Sequence, residues 1–133
     1  MIALDSWIFL EYFTLGTKFD KCKKLLLNKS KKVISVITLM EIRYKGTKIA
    51  GSKRTKEFIR DILSSPSIII VDVNKKIAET SADLRLKYYR KETKEVSYAD
   101  MINLATAILT GCNKFYSGDP DFENIEEIKT IIV

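Results

Sequence analysis

The sequence predicts an α/β protein with a mostly parallel sheet covered by helices on both faces. Three observations carry that expectation. Short apolar, β-branched runs alternate with longer segments of helical period along the whole chain. One run, Ile68-Ile69-Ile70-Val71, is continuously apolar, as a strand buried on both faces is. Five carboxylates, Asp5, Glu41, Asp100, Asp119 and Asp121, stand where apolar segments end or begin. Open α/β sheets gather their sites at such strand exits.

Met1–Leu4 reads as a buried strand, and Asp5-Ser6 can cap a helix beginning near Trp7. Trp7, Ile8, Leu10 and Phe13 give that helix its apolar stripe, and Gly16-Thr17 breaks it. Phe19–Leu27 follows as a helix with Phe19, Cys22, Leu25 and Leu26 on one face. Lys32–Val36 is a short strand. Thr38–Tyr44 opens a helix that Gly46 and Gly51 should interrupt, and Lys53–Leu63 is the next, with Phe58, Ile59 and Ile62 inward. Ser64-Ser65-Pro66 turns the chain into the strand Ser67–Val71. Asp72 or Asn74 can cap the helix Lys75–Tyr89, whose inward residues read as Ile77, Ala78, Ala82 and Leu86. After the charged loop Arg90–Glu95 comes the most apolar helix, Ser97–Thr110, with Gly111 placed to end it. Lys114–Tyr116 and Ile128–Val133 read as the last strands, joined through the Gly/Pro loop Ser117–Phe122.

At 133 residues the chain should form one domain, Met1 to Val133. No apolar run approaches the roughly 20 residues that a membrane span needs. The N-terminus opens directly on a strand, so no signal peptide is expected and the protein should be cytoplasmic. Cys22 and Cys112 lie far apart, form no CxxC pair and read as buried small apolar residues. The chain has no His. That removes Ser-His and Cys-His nucleophiles and His-bearing metal sites. Acid–base or metal chemistry must rest on carboxylates, Lys, Tyr or Cys.

Twenty-three Lys and Arg against 17 Asp and Glu give a net charge of +6. The excess is local: Lys18 to Lys32 holds seven Lys and one acid, and Arg43 to Arg60 seven Lys or Arg and one acid. Two readings fit these stretches, a phosphate-binding rim or solvated helix faces.

Each acid also has a plain structural role open to it. Thr38-Leu39-Met40-Glu41 and Ser97-Tyr98-Ala99-Asp100 both match the capping box. Asp5 can be an N-cap and Asp119-Pro120-Asp121 a turn. Asp100, however, leads a mostly apolar helix, with Met101, Ile102, Leu104, Ala105, Ala107, Ile108 and Leu109. An ionised carboxylate in such a helix is costly unless paired or metal-bound. Converging acids repel, and hard divalent cations with oxygen ligands are the usual remedy.

Four blocks then resemble the PIN-domain ribonucleases: Asp5-Ser6 after a strand; Val36-Ile37-Thr38-Leu39-Met40-Glu41-Ile42; Tyr98-Ala99-Asp100-Met101-Ile102-Asn103-Leu104-Ala105-Thr106-Ala107; and Tyr116-Ser117-Gly118-Asp119-Pro120-Asp121-Phe122. Small single-domain members of this kind are the VapC-type toxins of VapBC toxin–antitoxin pairs. The resemblance spans essentially the whole chain. It implies a three-layer α/β/α fold with a mostly parallel sheet of about five strands. It also implies a metal-dependent endoribonuclease that cuts single-stranded RNA with Mg²⁺ or Mn²⁺. Asp5, Glu41 and Asp100 take its core acidic positions and Asp119 the fourth, with Asp121 as an alternative or supporting ligand. Asp5 and Asp100 would be the main metal ligands, and Glu41 would orient or deprotonate the attacking water. Asp119 would complete a second metal position. Ser6 and Ser117 match small hydroxyl positions that hold the acids or water, and basic residues near the mouth, such as Arg43 or Lys45, are candidates to hold the RNA backbone. Asn103 departs from the usual apolar residue; at i+3 from Asp100 it either joins the site or faces solvent. A toxin also implies a cognate antitoxin and a homodimer. Trp7, Phe9, Tyr12 and Phe13 are candidates for the antitoxin groove, or else core.

Other readings are an RNA-processing nuclease of the same fold, acting in rRNA or tRNA quality control, and a catalytically inactive RNA-binding domain. A phosphoacceptor receiver-type domain fits poorly, because Lys114 begins its strand instead of ending one. A purely structural module leaves the acids unexplained.

Overall fold

The computed structural model describes residues 1–133. Its elements in chain order are β1 (Ile2–Leu4), α1 (Ser6–Phe13), α2 (Phe19–Leu27), β2 (Lys32–Ser35), α3 (Val36–Ala50), α4 (Ser52–Ser64), β3 (Ile68–Val71), α5 (Lys75–Tyr88), α6 (Tyr98–Leu109), β4 (Lys114–Ser117), a 3₁₀ turn (Pro120–Phe122) and β5 (Lys129–Ile132). The five strands form one sheet in the order β3-β2-β1-β4-β5. Every pairing is parallel, with Ala3 beside Val33 and Phe115.

Alternation along the strands sends side chains to two separate cores. Ala3, Val33 and Phe115 join the cluster under α5 and α6, with Leu84, Met101 and Leu104. Leu4 and Ile34 join Ile8, Phe9, Cys22, Ile42 and Ile62 under α1 to α4. The result is the expected helix–sheet–helix layering. Both cysteines are free and buried. No helix is long and apolar enough to cross a membrane.

The chain runs from β1 outward to β2 and β3, then returns to lay β4 and β5 on the other side. The order therefore switches between β1 and β4. At such a point the loops leaving two neighbouring strands diverge and open a crevice beyond their carboxyl ends.

Several elements differ from the sequence reading. β3 lies at the sheet edge, so Ile69 is 38% exposed and the strand is not buried on both faces. α3 does not break at Gly46 but runs on to Ala50, and Gly51, at φ +87°, ends it. Gly46 instead permits close packing, since a Cβ there would meet Thr55 Cγ2 at 3.0 Å and Phe13 Cε2 at 3.4 Å. The inner face of α5 is Ile77, Ser81, Leu84 and Tyr88, and Leu86 is 82% exposed. The Tyr88 hydroxyl fixes that rotation: it donates to Glu127 and accepts from the Glu126 N–H. Asn74, and not Asp72, caps α5, accepting from the Ile77 N–H at 2.9 Å.

Candidate active site

The crevice between β1 and β4 holds a pocket of about 260 Å³. Asp5, Glu41, Asp100 and Asp119 all line it, from four different segments. Ser6, Trp7 and Lys45 share the wall.

Asp5 leaves β1 and occupies the N-cap position of α1, but its side chain makes no cap bond. It is 4% exposed. Its two oxygens accept from Ser117 Oγ at 2.8 Å and from Asn103 Nδ2 at 3.3 Å. The capping expectation for Asp5 therefore fails, and the carboxylate is turned to the crevice.

Glu41 is not a capping acid either. Ser35 caps α3, accepting from the Ile37 N–H at 3.1 Å, so the helix starts three residues ahead of the matched motif. Thr38 is then interior and buried, and its hydroxyl donates to Asn103 Oδ1. Glu41 Oε1 accepts from Asn103 Nδ2 at 2.9 Å, and Oε2 lies 3.9 Å from Lys45 Nζ.

Asp100 does both jobs that the sequence offered it. It forms a complete capping box with Ser97, with bonds of 2.9 and 3.0 Å, while also lining the pocket. Asp119 follows β4 and starts the 3₁₀ turn, accepting from the Asp121 N–H at 2.9 Å, and its own N–H donates to Ser117 Oγ. Ser117 thus positions two acids at once. Asp121 lies outside the pocket lining but near enough for Asp119 and Asp100 to act on it. Of the two basic residues expected at the mouth, Lys45 lines the pocket and Arg43 does not.

Asn103 is the hub that sequence reasoning left undecided. It is 3% exposed and its amide spans Asp5, Glu41 and Thr38. Its position three residues after Asp100, one of two polar breaks (with Thr106) in an apolar run, is the available signal. A neutral donor there lets two carboxylates approach without a third charge.

The electrostatics are strained in one direction. Burial pushes Asp5 up to about 7; repulsion from Asp100 and Glu41 adds to it, against the bonds from Ser117 and Asn103. Burial likewise raises Asp100, helped by Asp119 and opposed by Ser97 and Lys45. Asp121 is raised by burial, then by Asp119 and Asp100. The pocket holds more negative charge than its one lysine offsets.

A hard divalent cation fits this donor set. All the candidates are carboxylate oxygens, and the excess charge is what a cation would relieve. No three of them are drawn close enough to chelate one ion together.

The PIN domain family pattern matches residues 2–128. No curated protein sequence matches. Solved structures of similar shape include a toxin–antitoxin complex from Klebsiella pneumoniae, 25% identical over 100% of both chains, with a TM-score of 0.72. Another is VapC20 of Mycobacterium tuberculosis, a sarcin-ricin loop cleaving toxin, 18% identical over 96% of this chain and 98% of that one, with a TM-score of 0.79. A third is DNA-bound VapBC from Salmonella typhimurium, 23% identical over 98% of this chain and 96% of that one, with a TM-score of 0.74. The last two speak for the fold alone. With the family pattern running almost end to end, and its acid-bearing segments meeting where β1 and β4 part, the chain belongs to the PIN domain family.

Proposed function

We propose that the protein is an endoribonuclease that hydrolyses phosphodiester bonds of single-stranded RNA, and that it acts as the toxin of a toxin–antitoxin pair. The observation that carries the nuclease reading is the convergence of Asp5, Glu41, Asp100 and Asp119 on one pocket at the sheet's switch point. A bound Mg²⁺ or Mn²⁺ would offset charge on the scissile phosphate and acidify a water. Asp5 and Asp100 would hold the cation, and Asp119, which lines the pocket while Asp121 does not, would complete a second metal position. Glu41 commits Oε1 to Asn103, which leaves Oε2 to orient the water and take its proton. Lys45 stands beside that oxygen and can bind a phosphate of the strand.

The toxin reading is supported by the Klebsiella pneumoniae complex, similar along the full length of both chains. An apolar groove between α1, α2 and α4, lined by Tyr12, Leu26, Leu27, Phe58 and Ile62, offers an antitoxin segment a seat. Of the four aromatics expected there, Phe9 and Tyr12 line it, Phe9 as a fully buried core side chain, whereas Trp7 lines the acidic pocket and Phe13 does not line the groove. Tyr12 stacks on Phe19 at 5.1 Å and on Phe58 at 6.0 Å, and Phe13 on Phe58 at 4.7 Å.

The test is cleavage of labelled single-stranded and stem-loop RNAs with Mg²⁺ or Mn²⁺, and with chelator. Asp100→Asn is purified alongside. The expected loss in the variant exceeds about a hundredfold, the upper range for residues that merely support a metal site. Metal-independent cutting, or cutting that survives the substitution, sinks the site. Growth arrest on induction of the native protein, absent with Asp100→Asn, separates a toxin from a processing nuclease.

A further inference from the structure

We infer that Trp7 is a stacking platform for a nucleobase of the bound RNA strand, next to the scissile phosphate. This rests on the nuclease reading above. Trp7 sits two positions after Asp5 and lines the same pocket as the four acids, partly exposed. Its indole lies directly over Gly118, in the segment that carries Ser117 and Asp119. A Cβ at Gly118 would fall 2.2–2.3 Å from Cε2, Cδ2 and Cζ2 of the ring. Gly118 is not among the glycines with positive φ, so its backbone does not demand glycine. The missing side chain makes room for the indole. The ring is thus held in register with both acid-bearing strand exits.

The charge of the site explains why such a platform is useful. Five carboxylates, the four acids and Glu11, repel a phosphate backbone until a cation arrives, and Lys45 is the only basic residue in the wall. A base stacked on an aromatic face is held without any charge, at about 1–3 kcal/mol per base, and with little preference for which base. The bland alternative is that Trp7 only packs, since it also borders the core under α1 to α4. A packing residue would neither sense nor require the base.

Trp7 is the single tryptophan of the chain, so its fluorescence reports on this pocket alone. The Asp100→Asn protein is titrated with a short single-stranded oligoribonucleotide and with an abasic strand of equal length. Stacking predicts quenching by the first and none by the second. Labelled-strand anisotropy then compares Trp7→Phe and Trp7→Leu in the same background. Trp7→Phe should bind within a few-fold, and Trp7→Leu roughly 5- to 150-fold more weakly, the equivalent of the stacking energy. With Asp100 intact, Trp7→Leu should raise KM more than it lowers kcat. Equal quenching by both strands, or unchanged binding by a folded Trp7→Leu, overturns the proposal. If Trp7→Leu does not fold, the base-bearing and abasic titrations decide alone. A native protein that cuts RNA while Trp7→Leu keeps the same KM removes the platform and leaves the nuclease; no binding and no cutting by any form removes the nuclease reading itself.

Discussion

At one end of the sheet Asp5 is buried at the exit of β1; at the other, Lys32 is buried at the entrance of β2. The lysine is 0% exposed, and its ammonium donates to the Asn28 and Ser30 carbonyls and to Ser67 Oγ. Burial lowers its pKa, but every partner is an oxygen that favours the charge. Asp5 also has two donors, yet its other neighbours are acids, and burial outweighs the bonds. A satisfied buried charge ties loops together; a buried charge set among like charges waits for a ligand. The difference separates a structural ion from a site in one small domain.

Neutralising the two charges should therefore move stability in opposite directions. The larger effect is expected for Asp5→Asn. The Asp5 carboxyl titrates at about 7 when folded, against 3.8 for the free group. The folded protein holds this proton more tightly, so the associated stability is full below pH 4 and is lost as pH rises through 7. At pH 8 the native, metal-free protein bears that cost and Asp5→Asn does not. The two values cap the gain at about 4 kcal/mol. Denaturant midpoints should show Asp5→Asn the more stable at pH 8 in chelator, with the gap closing towards pH 4. A variant less stable at pH 8 would show that Asp5 is satisfied, as Lys32 is.

Lys32→Met should cost about 2–3 kcal/mol, because it removes charge-assisted bonds and strands two carbonyls. Cleavage per folded molecule should not change, since the lysine lies at the far end of the strands. A midpoint equal to the native one would mean that the loops before β2 and β3 hold themselves. A folded Lys32→Met with impaired cleavage would erase the contrast between the two ends.

The acid half of this contrast is legible in the sequence; the lysine half is not, because Lys32 reads as part of a basic rim or solvated face and is instead buried. Strand exits and their acids follow from local pattern, and the apolar run after Asp100 marks that acid as costly. The family pattern matches residues 2–128, and the four acids line one pocket. What stayed hidden depends on contacts across long separations. Gly46 reads as a breaker until α4 is seen to pass over it. The face of α5 is set by Tyr88 reaching Glu127, 39 residues on. Glu41 matched a capping box because Thr38 stands three residues before it, whereas Ser35 takes the cap. Nothing local tells which hydroxyl the helix will use.

Asn103 is the clearest case, and it yields the smallest of the predicted effects. Its partners Asp5 and Glu41 lie 98 and 62 residues away in sequence. Periodicity could place it on the Asp100 face of α6 but could not say what the face would meet. Asn103→Leu restores an apolar residue of the kind the family resemblance leads one to expect there. It also leaves Asp5 and Glu41 each short of a donor and frees Glu41 to swing. The fold should survive, because the Asp100 capping box and the apolar face of α6 are untouched. Activity should fall about 10- to 100-fold, the range for residues that orient metal-binding groups. The readout that separates orientation from packing is the Mn²⁺ concentration giving half-maximal cleavage. It should rise in Asn103→Leu while the thermal midpoint stays close to native. An unchanged Mn²⁺ midpoint would reduce Asn103 to a core residue, and the site's order would then rest on Ser117 alone.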